Sequence, residues 1–313
     1  MEQIKLIKGD CIEEMKKLES GSVDLVLTDP PYGTIKGLGG DIEKYKLLSN
    51  STWDETLDTK EMFKECERVL MEKGILILFS QEPYTSKLIT EAHLNLPFNY
   101  RMIWLKDHFA NALISKKAPV SYFEDILVFS KKYDTRNQNP LREYATKVIK
   151  YIGKKLKRIN FELGHRRAEH FFYLESTQFK LCTEEVYNEL TLRYNLKEME
   201  GYKEFLILKE INNKYEVTFN LQDGEAKKSN VLQYKKDYGG LHPTQKPVEL
   251  LKDLIKTYSN EGNTILDFTM GSGSTGVACK ETNRKFIGIE LDEKYFKIAE
   301  ERINKTGEQT KLD

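Results

Sequence analysis

From the N-terminus to about position 130, short apolar runs alternate with stretches in which apolar residues recur every three or four positions. This is the pattern of strands alternating with helices in an α/β sheet. Lys5–Lys8 reads as a short strand, and Val23–Thr28 (VDLVLT) as a buried strand stopped by two prolines. Thr59–Met71 has helical spacing, Gly74–Ser80 (GILILFS) is a second buried strand, and Tyr84–Asn95 is another helix. Tyr100–Leu105 and Asp125–Phe129 are further strands. The alternation then stops. From about Tyr133 to Tyr238 the chain is polar, charged and tyrosine-rich, helical at first, with Thr183 capping a helix over Glu184–Tyr194. Phe205–Leu208 and Tyr215–Phe219 are expected as a small hairpin. Order resumes at His242, with a helix over Val248–Tyr258, a strand over Asn263–Phe268 and a glycine turn. A helix through Cys279, a strand over Lys285–Glu290 and a helix over Asp292–Asn304 follow. The expected fold class is α/β, a doubly wound, mostly parallel sheet. Residues 1–132 and 241–313 form its two halves, and 133–240 an inserted module.

A chain of 313 residues suits one large domain with an insertion. With 39% hydrophobic and 31% charged residues it reads as a folded chain, not a disordered one. Its 49 basic and 49 acidic side chains cancel, which argues against a uniformly basic nucleic-acid binder. The distribution changes that picture. Lys131–Arg167 carries 12 Lys or Arg against 3 Asp or Glu, whereas Ala168–Asp237 carries 10 against 13. A concentrated positive segment is what a phosphate-facing surface needs; a merely solvated Lys-rich helix face is the plainer alternative. Lys154, Lys155, Lys157, Arg158, Arg166 and Arg167 are the candidates for such contacts. Cys11, Cys66, Cys182 and Cys279 form no CxxC pair and have no His at metal spacing, so they read as reduced and mostly buried, with no metal expected. The charged N-terminus and the lack of a bilayer-length apolar stretch make a cytoplasmic protein, away from membranes, the expectation.

Three motifs carry chemistry. The first is Asp29-Pro30-Pro31-Tyr32, directly after a strand, where side chains of a parallel sheet face the ligand crevice. Asp29 can accept from an amino group, the prolines fix the direction of the Pro30 carbonyl, and Tyr32 offers a flat face to a planar base. An exocyclic amine is a poor nucleophile because its lone pair is delocalised; two acceptors would draw its protons and free that pair. A proline turn with an aspartate cap is the bland reading of the same residues. The second motif is Asp267 to Gly276, with Gly271, Gly273 and Gly276 in GxGxxG spacing between a strand and a helix. Asp267 would repel a pyrophosphate and attract a cationic ammonium, such as that of S-adenosylmethionine. Glu290 ends the next strand, where a carboxylate can grip both ribose hydroxyls, and Leu291 can cover the adenine face. The third is His242 to Val248, in which Thr244 and Lys246 are candidates to hold a carboxylate. A proline-rich linker is its equal rival.

Assembled, these residues resemble the bacterial DNA amino-methyltransferases of the permuted β class, adenine-N6 type. Asp29–Tyr32 matches their catalytic motif, Asp267–Gly276 their cofactor motif, and His242–Val248 the segment before it, in that class's order. The resemblance implies a Rossmann-like methyltransferase fold and a target-recognition role for the insertion. It also implies a cofactor set of Asp10, Cys11, Thr244, Lys246, Asp267, Phe268, Gly271, Gly273, Glu290 and Leu291, with Asp10 at the adenine amino group. Trp53-Asp54, Trp104–Lys106 and Glu124–Phe129 resemble later family segments. Two departures stand out: Gly33–Ser51 is longer than the family's usual loop, and Phe123 stands where the family often has His, so Glu124 is given no catalytic role.

The expectation is methyl transfer from S-adenosylmethionine to N6 of adenine in a specific DNA sequence, by base flipping and direct transfer. DNA is the implied partner; a separate cognate restriction endonuclease and a homodimer are compatible with the sequence. Transfer to N4 of cytosine is the nearest rival, disfavoured because such relatives more often have Ser at the Asp29 position. A protein-glutamine methyltransferase typically has Asn there and the cofactor motif first. A nicotinamide dehydrogenase is disfavoured by Asp267, and a catalytically silent DNA-binding regulator by the intact Asp29–Tyr32.

Overall fold

The computed structural model describes residues 3–33, 57–110, 116, 119–131, 140–176, 178–213, 218–222, 224–237 and 245–306. His242, Thr244, Trp53, Asp54 and the long loop after Gly33 lie outside the described residues. Among the described residues no helix is long and apolar enough to cross a membrane.

The chain divides into two compact units, one of Met1–Lys132 with Val217–Asp313 and one of Tyr133–Glu216. The larger is built on eight strands in the order β1-β8-β7-β2-β3-β5-β4-β6. These are β1 (Ile4–Lys8), β2 (Val23–Thr28), β3 (Leu70–Ser80), β4 (Phe98–Ala110), β5 (Ser121–Ser130), β6 (Val231–Gln233), β7 (Thr264–Asp267) and β8 (Lys285–Glu290). From β1 to β3 in that order every neighbour is parallel; β5 is antiparallel to both β3 and β4, and β6 is parallel to β4.

β2 shows why the centre is parallel. Leu25, Val26 and Leu27 are all fully buried, and a continuous apolar run suits a strand covered by helices on both faces. One face packs against α8 (Val248–Tyr258), α9 (Ser274–Glu281) and α10 (Glu293–Lys305), through Leu25, Leu27, Ile77, Phe79, Trp104 and Ile126. The other packs against α1 (Cys11–Lys16), α2 (Thr59–Val69) and α3 (Tyr84–Thr90), through Val26, Leu78, Leu127, Leu266 and Phe268. Helix starts follow local chemistry: the Asp10, Asp58 and Asp292 carboxylates each accept two backbone N–H groups at the first turn of α1, α2 and α10.

The smaller unit has its own core, formed by α4 (Pro140–Ile152), α5 (Leu156–Leu163), α6 (Glu184–Tyr194) and α7 (Phe205–Asn213). Buried Tyr144 and Tyr187 share a hydroxyl contact of 2.5 Å, and Tyr187 donates to the Lys203 carbonyl at 2.7 Å.

Two expectations change here. The hairpin strand at Phe205–Leu208 is instead the first turns of α7. Phe205, Leu208 and Ile211 recur three apart and meet the same core, a periodicity that a short apolar run conceals; residues 215–217 of the second strand lie outside the described residues. The inserted unit also ends before residue 240. Val231–Gln233 joins the large sheet beside Ile103–Leu105, Trp104 Nε1 donates to the Tyr234 carbonyl at 2.9 Å, and Asn220 Nδ2 donates to carbonyls of α8 and of Ser259.

Candidate active site and cofactor crevice

The chain runs from β2 to β3 in one direction across the sheet and from β7 to β8 in the other. The carboxyl ends of β2 and β7 therefore flank the point where strand order reverses, which is where open α/β sheets bind ligands. Thr28 ends β2 and Asp267 ends β7. Thr28 Oγ1 donates to Asp267 Oδ1 at 2.7 Å and lies 2.7 Å from Thr269 Oγ1, which in turn is 3.1 Å from the Asp29 carbonyl. The catalytic and cofactor motifs are thus in direct contact.

Asp267, expected to attract the cofactor ammonium, is engaged within the protein. Its two oxygens receive Thr28 Oγ1, Thr275 Oγ1 (2.6 Å) and the Thr269 amide (3.2 Å). It is buried, and burial pushes its carboxyl up to about 6 against those three donors. Here it ties the glycine turn to β2. Phe268, expected beside the cofactor, follows β7 directly and packs among the buried residues of the α1–α3 face, 1% exposed. Gly271 takes a positive φ of 52° and donates its amide to Glu290 Oε2 at 2.9 Å. Gly273, also expected at the cofactor, is demanded by packing: a Cβ there would lie 2.9 Å from Ala299 Cβ. A Cβ on Gly276 would lie 2.3 Å from Ile303 Cδ1, the close helix approach this spacing permits.

Glu290 ends β8 half-buried, with Oε1 accepting the Asp292 amide at 2.8 Å. Burial raises its carboxyl, and the backbone amides of Asp292, Gly271 and Leu291 partly offset that. β1 pairs with β8 through Lys8 and Glu290, and the Gly9 amide donates to the Glu290 carbonyl at 3.0 Å. Asp10 therefore follows the carboxyl end of the neighbouring strand; it is exposed, with Oδ1 engaged in capping α1. Leu291, beside Glu290, is 61% exposed. Cys11 is buried, and burial, then the Asp10 charge, push its thiol up to about 12. It stays protonated near neutral pH and is no nucleophile.

Alternation along the strands puts a charged row on the α8–α10 face. Leu27, Phe79, Ile126 and Trp104 share that face, so Asp29, Glu124 and Lys106, two positions away, share it as well. Lys246 Nζ bonds Asp29 Oδ2 and lies 3.2 Å from Glu124 Oε2; Lys106 Nζ bonds Glu124 Oε1. Lys246 also sits 5.0 Å from the Phe79 ring centre, and Lys106 lies 5.2 Å from that of Trp104. Expected to hold a carboxylate, Lys246 holds two of the protein's own. Burial raises the Asp29 carboxyl, with Lys246 opposing and Glu124 reinforcing. Burial also opposes ionisation of Glu124 and Lys246, but opposite charges outweigh it, lowering Glu124 and raising Lys246. For Lys106, burial wins over Glu124 and the ammonium is lowered.

Pro30 is buried and Pro31 half-buried. Tyr32 is also half-buried. Its hydroxyl donates to Asp29 Oδ1 at 2.5 Å and its ring lies 5.9 Å from that of Tyr84, tilted by 35°. Burial and the Asp29 charge raise the phenol well above its ordinary value. The sequence missed Thr28, Thr269 and Thr275 and gave Glu124 and Lys106 no role. Thr28 ends β2 and Thr269 follows β7 closely, which is a legible signal; Thr275 lies in the first turn of α9, and Glu124 and Lys106 lie inside β5 and β4, where no local signal marks them.

The six basic candidates belong to the smaller unit, and four are already paired. Glu162 binds both Lys154 (2.8 Å) and Arg158 (2.6 Å), Glu169 binds Arg166 (2.8 Å), and Glu185 binds Arg167 (3.1 Å). Lys155 and Lys157 are exposed.

Fold and site together define a methylase-type α/β enzyme. Residues 23–301 match the N6_N4_Mtase family model, described as DNA methylase, and the chain belongs to that family. It is similar to the DNA adenine methyltransferase YhdJ of Escherichia coli (strain K12), 27% identical over 96% of this chain and 82% of the relative. Among solved structures it resembles the M1.HpyAVI–SAM complex (TM-score 0.53, 19% identical, 96% and 99% of the two chains). It also resembles the cytosine-N4-specific PvuII DNA methyltransferase (TM-score 0.54, 13% identical, 99% and 90%). At these identities the two structures establish the doubly wound fold.

Proposed function

We propose that the chain transfers a methyl group from S-adenosylmethionine to N6 of adenine in a specific DNA sequence, as a β-class enzyme with the catalytic motif ahead of the cofactor motif. The observation that carries this reading is the contact between the motifs: Asp29 follows the strand that Thr28 ties to the cofactor turn through Asp267. A base amine on Asp29 then lies beside whatever the glycine turn holds. The name of the Escherichia coli relative supports adenine over cytosine.

The crevice fits the cofactor. Glu290 presents a carboxylate at the end of β8, exposed Leu291 offers an apolar cover beside it, and Asp10 is solvent-facing at the end of β1. These three would hold the nucleoside, together with the Gly271 turn; Thr244 belongs to the same proposed set. Bound S-adenosylmethionine supplies an electrophilic methyl group. The chain's part is to prepare the nucleophile. The Asp29 carboxylate and the Pro30 carbonyl accept the protons of the target amine, and Lys246 opposes the rise that burial imposes on the Asp29 carboxyl. Tyr32 holds the Asp29 carboxylate by its hydroxyl and presents what remains exposed of its ring to the base. Extruding the base costs a few kcal/mol, which these contacts offset. The buried thiol of Cys11 fits direct transfer without a covalent enzyme intermediate. DNA is bound in part by Lys154, Lys155, Lys157, Arg158, Arg166 and Arg167, the unit of Tyr133–Glu216 supplies target recognition, and the protein acts in the cytoplasm. A separate restriction endonuclease and a homodimer remain compatible with this reading.

The test is transfer of a labelled methyl group to unmethylated genomic DNA, with the product base identified by mass spectrometry. N6-methyladenine is expected, and N4-methylcytosine would reassign the substrate. Asp29→Ala should lose turnover while cofactor and DNA binding persist, because it removes an interaction needed mainly in the transition state.

A further inference from the structure

Each Asp29 oxygen already carries one donor. Oδ1 accepts from Tyr32 and Oδ2 from Lys246, yet the reading above requires Asp29 to accept from an incoming amine. Next to it lies an acceptor in the opposite condition. Glu124 Oε2 is buried and, among the described residues, its contact is the 3.2 Å ion pair with Lys246 Nζ, outside good hydrogen-bond geometry. Buried acceptors without a partner are uncommon and call for a reason.

We propose that Glu124 is a positioning residue that shares Lys246 with Asp29 and takes the ammonium over when the target amine docks on Asp29. This rests on the reading of Asp29 given above. A lysine ammonium has three donors on a rotatable stem, so a small swing exchanges one carboxylate for the other. The swing leaves the number of buried charges unchanged: two carboxylates and two ammoniums occupy the row before and after it, and Asp29 exchanges its direct ammonium bond for the donors of the docked amine while Lys246 stays within the row. Lys106 makes this workable. Its side chain is 1% exposed and it binds Glu124 Oε1, which fixes the carboxylate so that Oε2 faces Lys246. The Phe79 ring under Lys246 keeps the ammonium on the row throughout.

Among the described residues, the titratable groups that face Asp29 are Lys246, Tyr32, Glu124 and Asp267. Glu124 works against ionisation of Asp29, so its removal has a signature that general damage lacks. The experiment compares Glu124→Gln and Glu124→Asp with wild type in methyl transfer to unmethylated genomic DNA. It reads kcat and KM across pH, cofactor-free DNA binding and thermal melting. For Glu124→Gln the expected kcat falls roughly tenfold or more, because Lys246 then stays on Asp29. KM and cofactor-free DNA binding stay within about twofold. The acid limb of kcat moves to lower pH, because the charge that raised Asp29 is gone. Glu124→Asp recovers part of the rate. Wild-type kcat and acid limb in Glu124→Gln overturn the proposal. So does a loss of rate in both variants with no movement of the acid limb, which marks a structural role. Asp29→Ala separates the two levels: an active Asp29→Ala sinks the underlying reading, whereas an inactive one beside an unaltered Glu124→Gln sinks only this inference.

Discussion

Thr28 Oγ1 donates to Asp267 Oδ1 across 2.7 Å, joining the last residue of β2 to the last residue of β7. The backbone pairing of those strands runs through Leu25–Ile265 and Val26–Leu266, short of their carboxyl ends. Side chains therefore close the seam just where the crevice opens.

A first expectation concerns stability against pH. Burial raises Asp267 from 3.8 to about 6 in the folded protein. A carboxyl raised on folding binds its proton more tightly when folded, so its contribution is full below about pH 4 and is lost as pH rises through about 6. Two units correspond to roughly 3 kcal/mol at most. Asp267→Asn cannot titrate. Wild type should therefore gain stability relative to this variant as pH falls from about 7 to about 4. Denaturant melts at several pH values measure the difference, and a constant gap would show that Asp267 does not titrate in that range.

Cofactor affinity should depend on Glu290. Glu290→Ala removes the candidate ribose grip and also leaves the Gly271 and Asp292 amides without their acceptor. Glu290→Gln keeps one carbonyl oxygen for those amides. Calorimetry with S-adenosylmethionine should show a loss of roughly tenfold or more for alanine, with glutamine in between. Wild-type affinity in both variants would take Glu290 out of the crevice.

Tyr32 should act through Asp29 as well as through its ring. The phenol hydrogen bond favours the Asp29 carboxylate over its acid form. Tyr32→Phe keeps the ring and deletes that bond, so Asp29 ionises at higher pH and the acid limb of kcat moves up, while part of the rate survives at alkaline pH. Tyr32→Ala should lose more at every pH. An acid limb that stays in place in Tyr32→Phe would show that the hydroxyl does not tune Asp29.

How far the sequence was legible follows from the range of each signal. The strand Lys285–Glu290 and the helices Glu184–Tyr194 and Val248–Tyr258 were legible residue for residue, because period and caps are local properties. The Val231–Gln233 strand was not: three residues carry no period, and its place beside β4 is set by tertiary pairing. The motif residues were legible as types, and their partners were not. Asp267 reads as a ligand acid until Thr28, 239 positions away, is found on it. Lys246 reads as a cofactor contact until Asp29 and Glu124 are found around it.

The basic segment yields the last expectation. A positive count over Lys131–Arg167 suggests uniform phosphate contact, but the structure divides the six candidate cations into two groups. Lys154 and Arg158 share Glu162, whose carboxyl is held down to about 2 by hydrogen bonds from Lys154, Tyr194 and Arg158. Arg166 and Arg167 have Glu169 and Glu185. A phosphate reaching these four must displace a carboxylate, and the charge it meets is already partly neutralised. Lys155 and Lys157 stand exposed at the start of α5, so a phosphate there meets a full charge. Each phosphate neutralised on a duplex steepens the dependence of log affinity on log salt by about 0.9. Lys155→Gln with Lys157→Gln should therefore flatten that slope by roughly 1 to 2. Arg166→Gln with Arg167→Gln should flatten it less. Cofactor affinity should be unchanged in both, since neither pair belongs to the crevice residues. Filter binding to genomic DNA fragments across a salt series measures this. Equal flattening by the two pairs would show that the carboxylates give way freely to phosphate, and no flattening by either would make this segment a solvated face.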